Sequence, residues 1–385
     1  MIDPQKFEWL VNPRHGTPGV TILPMAGFRR AKATITGWPG YEPTPLLTLP
    51  NIAEVAEVRI KHEGARFGLG SFKALGGAYA VANLVTAELS RRGIASAATS
   101  ADLADGRYQD ATRAITVTCA TDGNHGRSVA WGAEQFHCRC MIFVHETVSQ
   151  GRVDAIARFG AEVVRVPGNY DDAVREADRQ ARKQNWFVVS DTSYPGYMEV
   201  PRDVMQGYRL MADEAADQWT GTPPTHVFMQ AGVGGAAASV SVQMRARFTP
   251  APLLVIVEPD QAACLLASAR RGAPTTVPGD LDTIMAGLAC GEPSLLAWQD
   301  LERAAFAFLS IPDEAAIGCL RFLFAQGHEI GESGVAGLAG LLLAAADPAA
   351  KAALRLTSRS RVLLFGTEGV TDPVVYDRIR HSRQS

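Results

Sequence analysis

The sequence carries no large excess of charge of either sign. Its 385 residues have a net charge of −3 and a pI near 6.3. Proteins that bind nucleic acid or anionic membranes by charge are clearly basic, either overall or on one face. We therefore expect neither nucleic acid nor a membrane surface as a partner.

Cysteine and long hydrophobic runs are also scarce. Six cysteines in a chain of this length do not make a disulfide framework, and Cys264 and Cys290 cannot be paired from sequence. The longest apolar stretch, residues 335–346, is too short to cross a bilayer and is typical of a buried helix. Residues 1–15 contain no apolar core of signal-peptide length. These features predict a soluble, cytoplasmic protein.

The chain does contain enough apolar residues, 47%, to fill one large or two medium cores. From about residue 114, strand-like runs rich in β-branched residues alternate with helical ones, which predicts mostly parallel sheets covered on both faces. The predicted strands are 114–120, 140–145, 162–166, 186–190, 225–230, 253–258 and 361–365, and the predicted helices include 74–89, 124–136, 150–159, 170–184, 201–217 and 236–248. Residues 90–113 are predicted to be a surface excursion. Two open α/β lobes are the simplest fold, with a site at the carboxyl ends of the strands.

A lysine, Lys73, stands at the start of a predicted helix, directly after the glycine-containing segment 67–70. Ser71 is predicted to cap this helix. The positive end of a helix disfavours an ammonium group, so the position suits an amine that deprotonates and forms a Schiff base. A solvated lysine at a helix start is the simpler alternative for this segment alone.

Two turns follow predicted strands and contain glycines. Thr121-Asp122-Gly123-Asn124-His125-Gly126 can present side chains and amides at the sheet edge, or can simply cap a helix. Gly232-Val233-Gly234-Gly235 opens a helix and has the bare amides of a phosphate-binding loop. The second turn also matches a dinucleotide-binding pattern in which Glu258 ends the next strand, so a nicotinamide-dependent oxidoreductase is an alternative. That alternative gives no role to Lys73 or to residues 122–126. A cofactor with one phosphate and an aldehyde gives a role to both of these and to the glycine loop 232–235.

Thr367 follows the last predicted strand, where a hydroxyl can form a hydrogen bond with a ring nitrogen. An ordinary turn threonine is the alternative. His137, Cys138, Cys140 and His145 are reminiscent of a metal site, but the cysteines alternate at strand spacing without a second ligand pair, so we predict no metal.

Together these segments resemble the fold-type-II pyridoxal-phosphate enzymes, the group of tryptophan synthase β, cysteine synthase and the serine and threonine dehydratases. Within that group the chain is most similar to the diaminopropionate ammonia-lyases. The matching segments lie between about residues 41 and 373 and are 66–73, 121–127, 145–149, 168–174, 191–192, 205–208 and 285–293. The resemblance implies a large discontinuous cofactor domain, 1–88 and 195–385, a small α/β domain, 89–194, and a homodimer.

The resemblance also implies roles for individual residues. Lys73 would carry the cofactor as a Schiff base with Phe72 packed beside it, and Asn124 would bind the pyridine hydroxyl oxygen. Gly232, Val233, Gly234 and Gly235 would bind the phosphate, and Thr367 would face the pyridine nitrogen. Asp122, where dehydratases generally have a small residue, would remove the Cα proton of the D-substrate, and Asp191 that of the L-substrate. Carboxylates on opposite faces of one planar adduct would explain activity on both enantiomers.

The chain departs from this family at two places. It has Ser193-Tyr194-Pro195-Gly196 where Ala-Trp-Glu-Gly is usual, and Val370 where asparagine is usual. We predict a pyridoxal-phosphate-dependent lyase that converts 2,3-diaminopropionate to pyruvate and two ammonia. A serine or threonine dehydratase of the same fold is the nearest alternative, and a silent cofactor-binding or regulatory protein is another.

Overall fold

The computed structural model describes residues 6–121, 123–168 and 170–381. Strands and helices alternate through most of this length. The strands are β1 Glu8–Val11, β2 Leu46–Thr48, β3 Glu57–His62, β4 Thr116–Ala120, β5 Arg139–His145, β6 Glu162–Val166, β7 Phe187–Val188, β8 His226–Gln230, β9 Leu253–Pro259, β10 Ala305–Ile311 and β11 Arg361–Gly366.

The helices cover both short connections and long amphipathic runs. They are α1 Met25–Ile35, α2 Ala74–Arg91, α3 Ser100–Ala104, α4 Gln109–Thr112, α5 Asn124–Gln135, α6 Gln150–Ala157, α7 Tyr170–Gln184, α8 Glu199–Gln218, α9 Gly235–Arg247, α10 Cys264–Arg271, α11 Leu295–Ala304, α12 Asp313–Ala325, α13 Ala336–Ala346, α14 Pro348–Ala353 and α15 Pro373–His381.

The larger sheet has the strand order β1-β10-β9-β8-β11-β3-β2. Its inner strands are parallel, and only the pairs β1–β10 and β2–β3 at the two edges are antiparallel. Strands β8 and β10 are buried along their whole length, as expected when helices cover both faces of a parallel sheet. Because parallel strands end at the same edge, the segments after β3, β8, β9 and β11 emerge together.

The smaller sheet has the order β6-β5-β4-β7 and is parallel throughout. The turn at residues 121–126 follows β4, and Asp191 comes shortly after β7. Since β4 and β7 are neighbours, both segments leave the same edge of this sheet. The expectation of α/β architecture with mostly parallel sheets is confirmed.

The chain forms two compact units. One contains residues 1–23, 43–71 and 211–385 and includes the larger sheet, and the other contains residues 24–42 and 72–210 and includes the smaller sheet. These boundaries differ from the predicted domains 1–88 with 195–385 and 89–194, because α2 packs along α5 of the second unit. Which segments make up the cofactor domain stays a prediction.

Most predicted elements agree with the observed ones. Residues 90–113 are mostly exposed or half-buried, as expected of a surface excursion; they contain the short helices α3 and α4, and Leu103 and Thr112 are buried. One prediction is wrong. Ser71 does not cap α2; instead the helix begins at Ala74, and Lys73 occupies the cap position without a side-chain capping bond.

Candidate active site

Lys73 lies immediately before the first residue of α2. Its backbone is already helical, and its carbonyl accepts hydrogen bonds from the amides of Gly76 and Gly77. Helix α2 is fixed by close packing against α8: a Cβ at Gly207 would lie 1.9 Å from the carbonyl oxygen of Leu75. Only glycine allows this approach, which places the start of α2, and with it Lys73, next to residues of α8.

The side chain of Lys73 contacts a carboxylate 118 residues later in the chain. Its Nζ lies 2.5 Å from Oδ2 of Asp191, and both side chains are mostly buried. Nδ1 of His125 lies 3.9 Å from the same oxygen. Burial alone would raise the pKa of Asp191, but the Lys73 ammonium and the His125 imidazole outweigh it and hold that pKa well below its usual range. Asp191 is therefore an ionised group that can exchange a proton with Lys73.

Two aromatic rings surround the lysine. Nζ of Lys73 lies 5.4 Å from the ring centroid of Phe72 and 5.6 Å from that of Tyr208 in α8. The two rings contact each other with centroids 4.6 Å apart, and both are buried. Burial raises the pKa of the Tyr208 phenol well above its usual range, so it stays protonated. Both rings pack beside the amine, and Asp191 is a charged group within hydrogen-bonding distance of it.

The turn between β4 and α5 is organised by Thr121. Its hydroxyl accepts hydrogen bonds from the amides of Gly123 and Gly126. Asn124, which is predicted to bind the cofactor, is the first residue of α5. The next residue, His125, is buried, and its Nε2 lies 2.7 Å from the carbonyl oxygen of Val189. Asp122, the predicted base for the D-substrate, lies outside the described residues.

A tyrosine holds the segment that carries Asp191. The Tyr197 hydroxyl donates to the carbonyl of Val188 at 2.8 Å and accepts from the amide of Ser190 at 3.0 Å. Tyr194 stacks on it with ring centroids 4.9 Å apart. At position 194, where the family usually has tryptophan, this chain therefore also has an aromatic ring. That ring packs on Tyr197, which fixes the end of β7.

In the other unit, the glycine loop 232–235 joins β8 to α9. The carbonyl of Gly232 accepts from the Cys264 thiol at 3.7 Å, and that of Val233 accepts from the amide of Ser294 at 2.9 Å. In a trans peptide the N–H points opposite to the C=O, so the amides of Val233 and Gly234 point away from these partners. Gly234 has a φ of +96°, which favours glycine. Outward amides at a helix N-terminus form an anion site.

Thr367 follows β11 at the same sheet edge as the glycine loop. It is buried, and its hydroxyl oxygen accepts a hydrogen bond from Nε2 of Gln230 at 2.9 Å. The next residue, Glu368, pairs with Ser71, and the amide of Gly369 donates to the carbonyl of Gly70. The pairing explains why Ser71 is unavailable as a helix cap.

A buried ionic cluster supports the segment that leads to Ser71. Arg66 bonds both Glu63 and Glu214, and Lys61 bonds Glu214 at 2.7 Å. The neighbouring Phe67 has a φ of +50°, a left-handed conformation that is costly for an aromatic residue. The cluster fixes Arg66, the residue directly before this turn.

Glu258 does not have the role that a dinucleotide site requires. Its side chain is fully buried, and its two oxygens accept from the amides of Leu265 and Leu266 at 2.7 and 2.8 Å. A carboxyl group fixed at the N-terminus of α10 cannot also reach a ribose hydroxyl. A nicotinamide-dependent oxidoreductase would therefore lack the acidic residue that binds the ribose of its cofactor.

The described residues offer neither a metal-binding cluster nor a membrane-spanning helix. Within residues 6–121, 123–168 and 170–381, no three His, Cys, Asp or Glu side chains are grouped so that they could hold a metal ion. In the same ranges, no helix combines the length and apolarity needed to cross a membrane.

Comparison with known proteins places the chain in a family. Residues 38–365 match the family described as pyridoxal-phosphate dependent enzyme. The chain belongs to this family. It is 39% identical to the diaminopropionate ammonia-lyase of Escherichia coli over 363 residues, 90% of this chain and 87% of that protein, and 38% identical to that of Salmonella typhimurium over 89% and 88%.

Solved structures give the same result. The chain matches Escherichia coli diaminopropionate ammonia lyase in its holo form with a TM-score of 0.89 and in complex with D-serine with 0.90, each at 34% identity over 99% of this chain and 98% of the other. Threonine deaminase from Solanum lycopersicum, at 19% identity and a TM-score of 0.72 over 97% of this chain and 96% of that one, shares the fold. The protein is a pyridoxal-phosphate-dependent lyase, as predicted.

The residues present fit the cofactor of this family. The outward amides of the glycine loop suit a phosphate dianion, and Lys73 offers the amine that binds the aldehyde. A Cβ at Gly232 would lie 3.0 Å from Sγ of Cys290, so a side chain there would crowd the loop. The individual roles of these residues remain predictions.

The structure brings Phe72, Lys73 and Asp191 into contact and places Gly232–Gly235 and Thr367 at one sheet edge of the other unit. Sequence reasoning gave no individual role to four residues of these surroundings: Thr121, His125, Tyr208 and Gln230. Thr121 and His125 belong to the glycine-containing turn after a predicted strand, whereas the matching segment 205–208 was the only signal for Tyr208. Gln230 ends the strand before the glycine loop, and nothing in the sequence links it to Thr367.

Proposed function

We propose that the protein eliminates ammonia from 2,3-diaminopropionate, as the D-isomer, the L-isomer or both, and yields pyruvate and two ammonia. The observation that carries this proposal is the ionised Asp191 carboxylate 2.5 Å from Nζ of Lys73. A carboxylate beside the cofactor-binding lysine is placed to take a proton from a substrate joined at that position.

Bound pyridoxal phosphate supplies an electron sink for the negative charge that forms at Cα. The protein's own residues supply the rest. Lys73 holds the cofactor through Nζ, the amides of Gly232, Val233, Gly234 and Gly235 bind its phosphate, and Asn124 and Thr367 bind the ring at its hydroxyl oxygen and nitrogen.

Proton transfer is assigned to three side chains. Oδ2 of Asp191 removes the Cα proton of the L-isomer, and Asp122 that of the D-isomer from the other face. The substrate's α-amine first takes the place of Lys73 on the cofactor, which frees Nζ. The β-amine leaves as ammonia once it has gained a proton, and the freed Lys73 Nζ or an aspartate donates it. The released 2-aminoacrylate hydrolyses to pyruvate and the second ammonia, which completes the balance.

The first test is product stoichiometry with D- and L-2,3-diaminopropionate, with serine and threonine run in parallel. Two ammonia per pyruvate, with little reaction of the hydroxy amino acids, is the expected result. One ammonia per keto acid from serine or threonine, with none from diaminopropionate, would instead make the protein a dehydratase.

Lys73→Ala should abolish turnover and the visible absorbance of lysine-bound cofactor, because it removes the amine that binds the aldehyde. The matched control is Lys351→Ala, which removes an exposed ion pair with Glu54 and should change neither property. Full activity of Lys73→Ala would refute the assignment of the whole site.

Asp122→Asn and Asp191→Asn should divide the two isomers between them. We expect the first variant to lose mainly D-isomer turnover and the second mainly L-isomer turnover, by roughly 10²–10⁴-fold, the usual contribution of a general base. kcat for each pure isomer is the measurement, and equal losses on both isomers in both variants would rule out two separate bases.

We further propose that the enzyme is a homodimer in the cytoplasm. The family resemblance supports the dimer, and the low cysteine content and balanced charge support the compartment. Light scattering on the purified protein measures the mass directly, and a mass of one chain would contradict the dimer.

A further inference from the structure

Gln230 is a buried polar side chain whose hydrogen bonds lead to Thr367. It is the last residue of β8, and Thr367 is the first residue after β11. Because β8 and β11 are parallel neighbours in the larger sheet, both residues lie at the same edge. Both are almost fully buried.

The direction of the hydrogen bond between them is fixed by the surroundings. Nε2 of Gln230 lies 2.7 Å from the carbonyl oxygen of Phe365 and 3.3 Å from that of Gly334, as well as 2.9 Å from Oγ1 of Thr367. Carbonyl oxygens only accept, so the nitrogen of the amide, and not its oxygen, must face this group. The nitrogen carries two hydrogens, and the two shortest contacts, to Phe365 at 2.7 Å and Thr367 at 2.9 Å, take them, so the Thr367 hydroxyl receives an N–H.

Stability alone does not account for this arrangement. The amide oxygen Oε1 of Gln230 has no hydrogen-bond partner within the part of the chain that the structure describes. A Cβ at Gly337 would lie 3.2 Å from it, so α13 packs closely there. A buried carbonyl without a partner lowers stability, and such a group calls for a functional explanation.

We propose that Gln230 is a positioning residue that fixes the Thr367 hydroxyl as a donor to the ring nitrogen of the cofactor. A hydroxyl that accepts an N–H directs its own proton to another acceptor, and hydrogen bonds in series strengthen one another. The inference rests on the proposed role of Thr367 and adds the residue that sets the direction of its proton.

The test uses holoenzyme loaded with pyridoxal phosphate labelled with ¹⁵N in the ring. The ring-nitrogen chemical shift reports whether that nitrogen accepts a hydrogen bond, which overall stability does not change. In Gln230→Met the resonance should move toward the position of a nitrogen without a hydrogen bond, and the cofactor should bind about tenfold more weakly, the value of one ordinary hydrogen bond.

Gln230→Glu keeps the size of the side chain and provides the measurement if the methionine variant does not fold. A carboxyl oxygen facing Thr367 would accept the hydroxyl proton, so the same movement of the resonance is expected. Thr367→Val should also produce it, and adding Gln230→Met to Thr367→Val should move the resonance no further.

The control is Gln243→Met, which removes another buried glutamine of the same unit, bonded to Asp213 at 2.7 Å. It should lower stability and leave the resonance unchanged. If the resonance is unchanged in both Gln230 variants, the inference is wrong. The absorbance of lysine-bound cofactor in the same samples would still support the proposed function. A wild-type protein that binds no cofactor at Lys73 would refute both.

Discussion

Tyr197 shows how one hydroxyl can control a distant catalytic position. It bridges the carbonyl of Val188 and the amide of Ser190, the two backbone groups just before Asp191. Only a neutral phenol can donate and accept at once, and burial raises the pKa of Tyr197 well above its usual range. The end of β7 is therefore held in one geometry.

Tyr197→Phe should slow the L-isomer reaction more than the D-isomer reaction. Loss of the hydroxyl leaves two backbone groups unsatisfied and lets Asp191 move, and a misplacement of about 1 Å can cost roughly 100-fold. kcat for each isomer is the measurement, with Tyr194→Phe, which keeps the stacked ring, as the control. Equal loss on both isomers would contradict a specific link between Tyr197 and Asp191.

The contacts of single residues were the hardest part to predict from sequence. The Lys73–Asp191 contact spans 118 positions and the Gln230–Thr367 contact spans 137. Each depends on which strands are neighbours, and local patterns do not carry that information. Asp191 was found only because its segment resembles a family, and Gln230 had no such signal.

Among the secondary-structure elements, α10 depends on a carboxyl group from β9. Glu258 binds the first amides of this helix from a fully buried position. Burial raises the pKa of Glu258 to about 8, although the two amides act in the opposite direction. The ordinary pKa of glutamate in an unfolded chain is about 4.3.

The free energy of unfolding should therefore fall as pH rises from about 4.3 to 8. In this window the folded protein keeps a proton on Glu258 that the unfolded chain has lost, so the stabilisation is complete below the unfolded pKa and disappears as pH passes the folded one. Glu258→Gln should remove this slope in denaturant titrations across the range. The same substitution at exposed Glu314 should keep it, and an unchanged slope in Glu258→Gln would contradict the titration.

Element boundaries were predictable where local chemistry decides them. Residues 162–166 and 170–184 form β6 and α7 as predicted, because a short β-branched run precedes a charged amphipathic segment. The start of α2 was not predictable, since Ser71 pairs with Glu368 nearly 300 residues later. A local capping rule cannot anticipate a partner at that distance.

At the scale of the whole molecule, cofactor binding should be measurable as added stability. Pyridoxal phosphate at 100 times its dissociation constant should raise the free energy of unfolding by about 2.7 kcal/mol, provided that only the folded state binds it. Chemical denaturation with and without cofactor gives this value. Pyridoxal without its phosphate should stabilise far less, because the glycine loop then has no anion to hold. Equal stabilisation by the two compounds would contradict a phosphate role for residues 232–235.

The number of lobes and their α/β character could be predicted from length and alternation, but the path of the chain between them could not. Strand β11 lies between β8 and β3 in the sheet, although β3 and β8 are more than 160 residues apart in the sequence. No periodicity specifies such an insertion.

This strand order constrains how the protein is made. Until residue 366 has been synthesised, β2–β3 and β8–β9–β10 have no shared neighbour and remain separate pieces of sheet. Residues 24–42 and 72–210, by contrast, contain every segment of the second unit before the last strand exists. During translation the unit that carries Lys73 can fold early, whereas the sheet that carries the glycine loop closes only when residues 361–366 have left the ribosome.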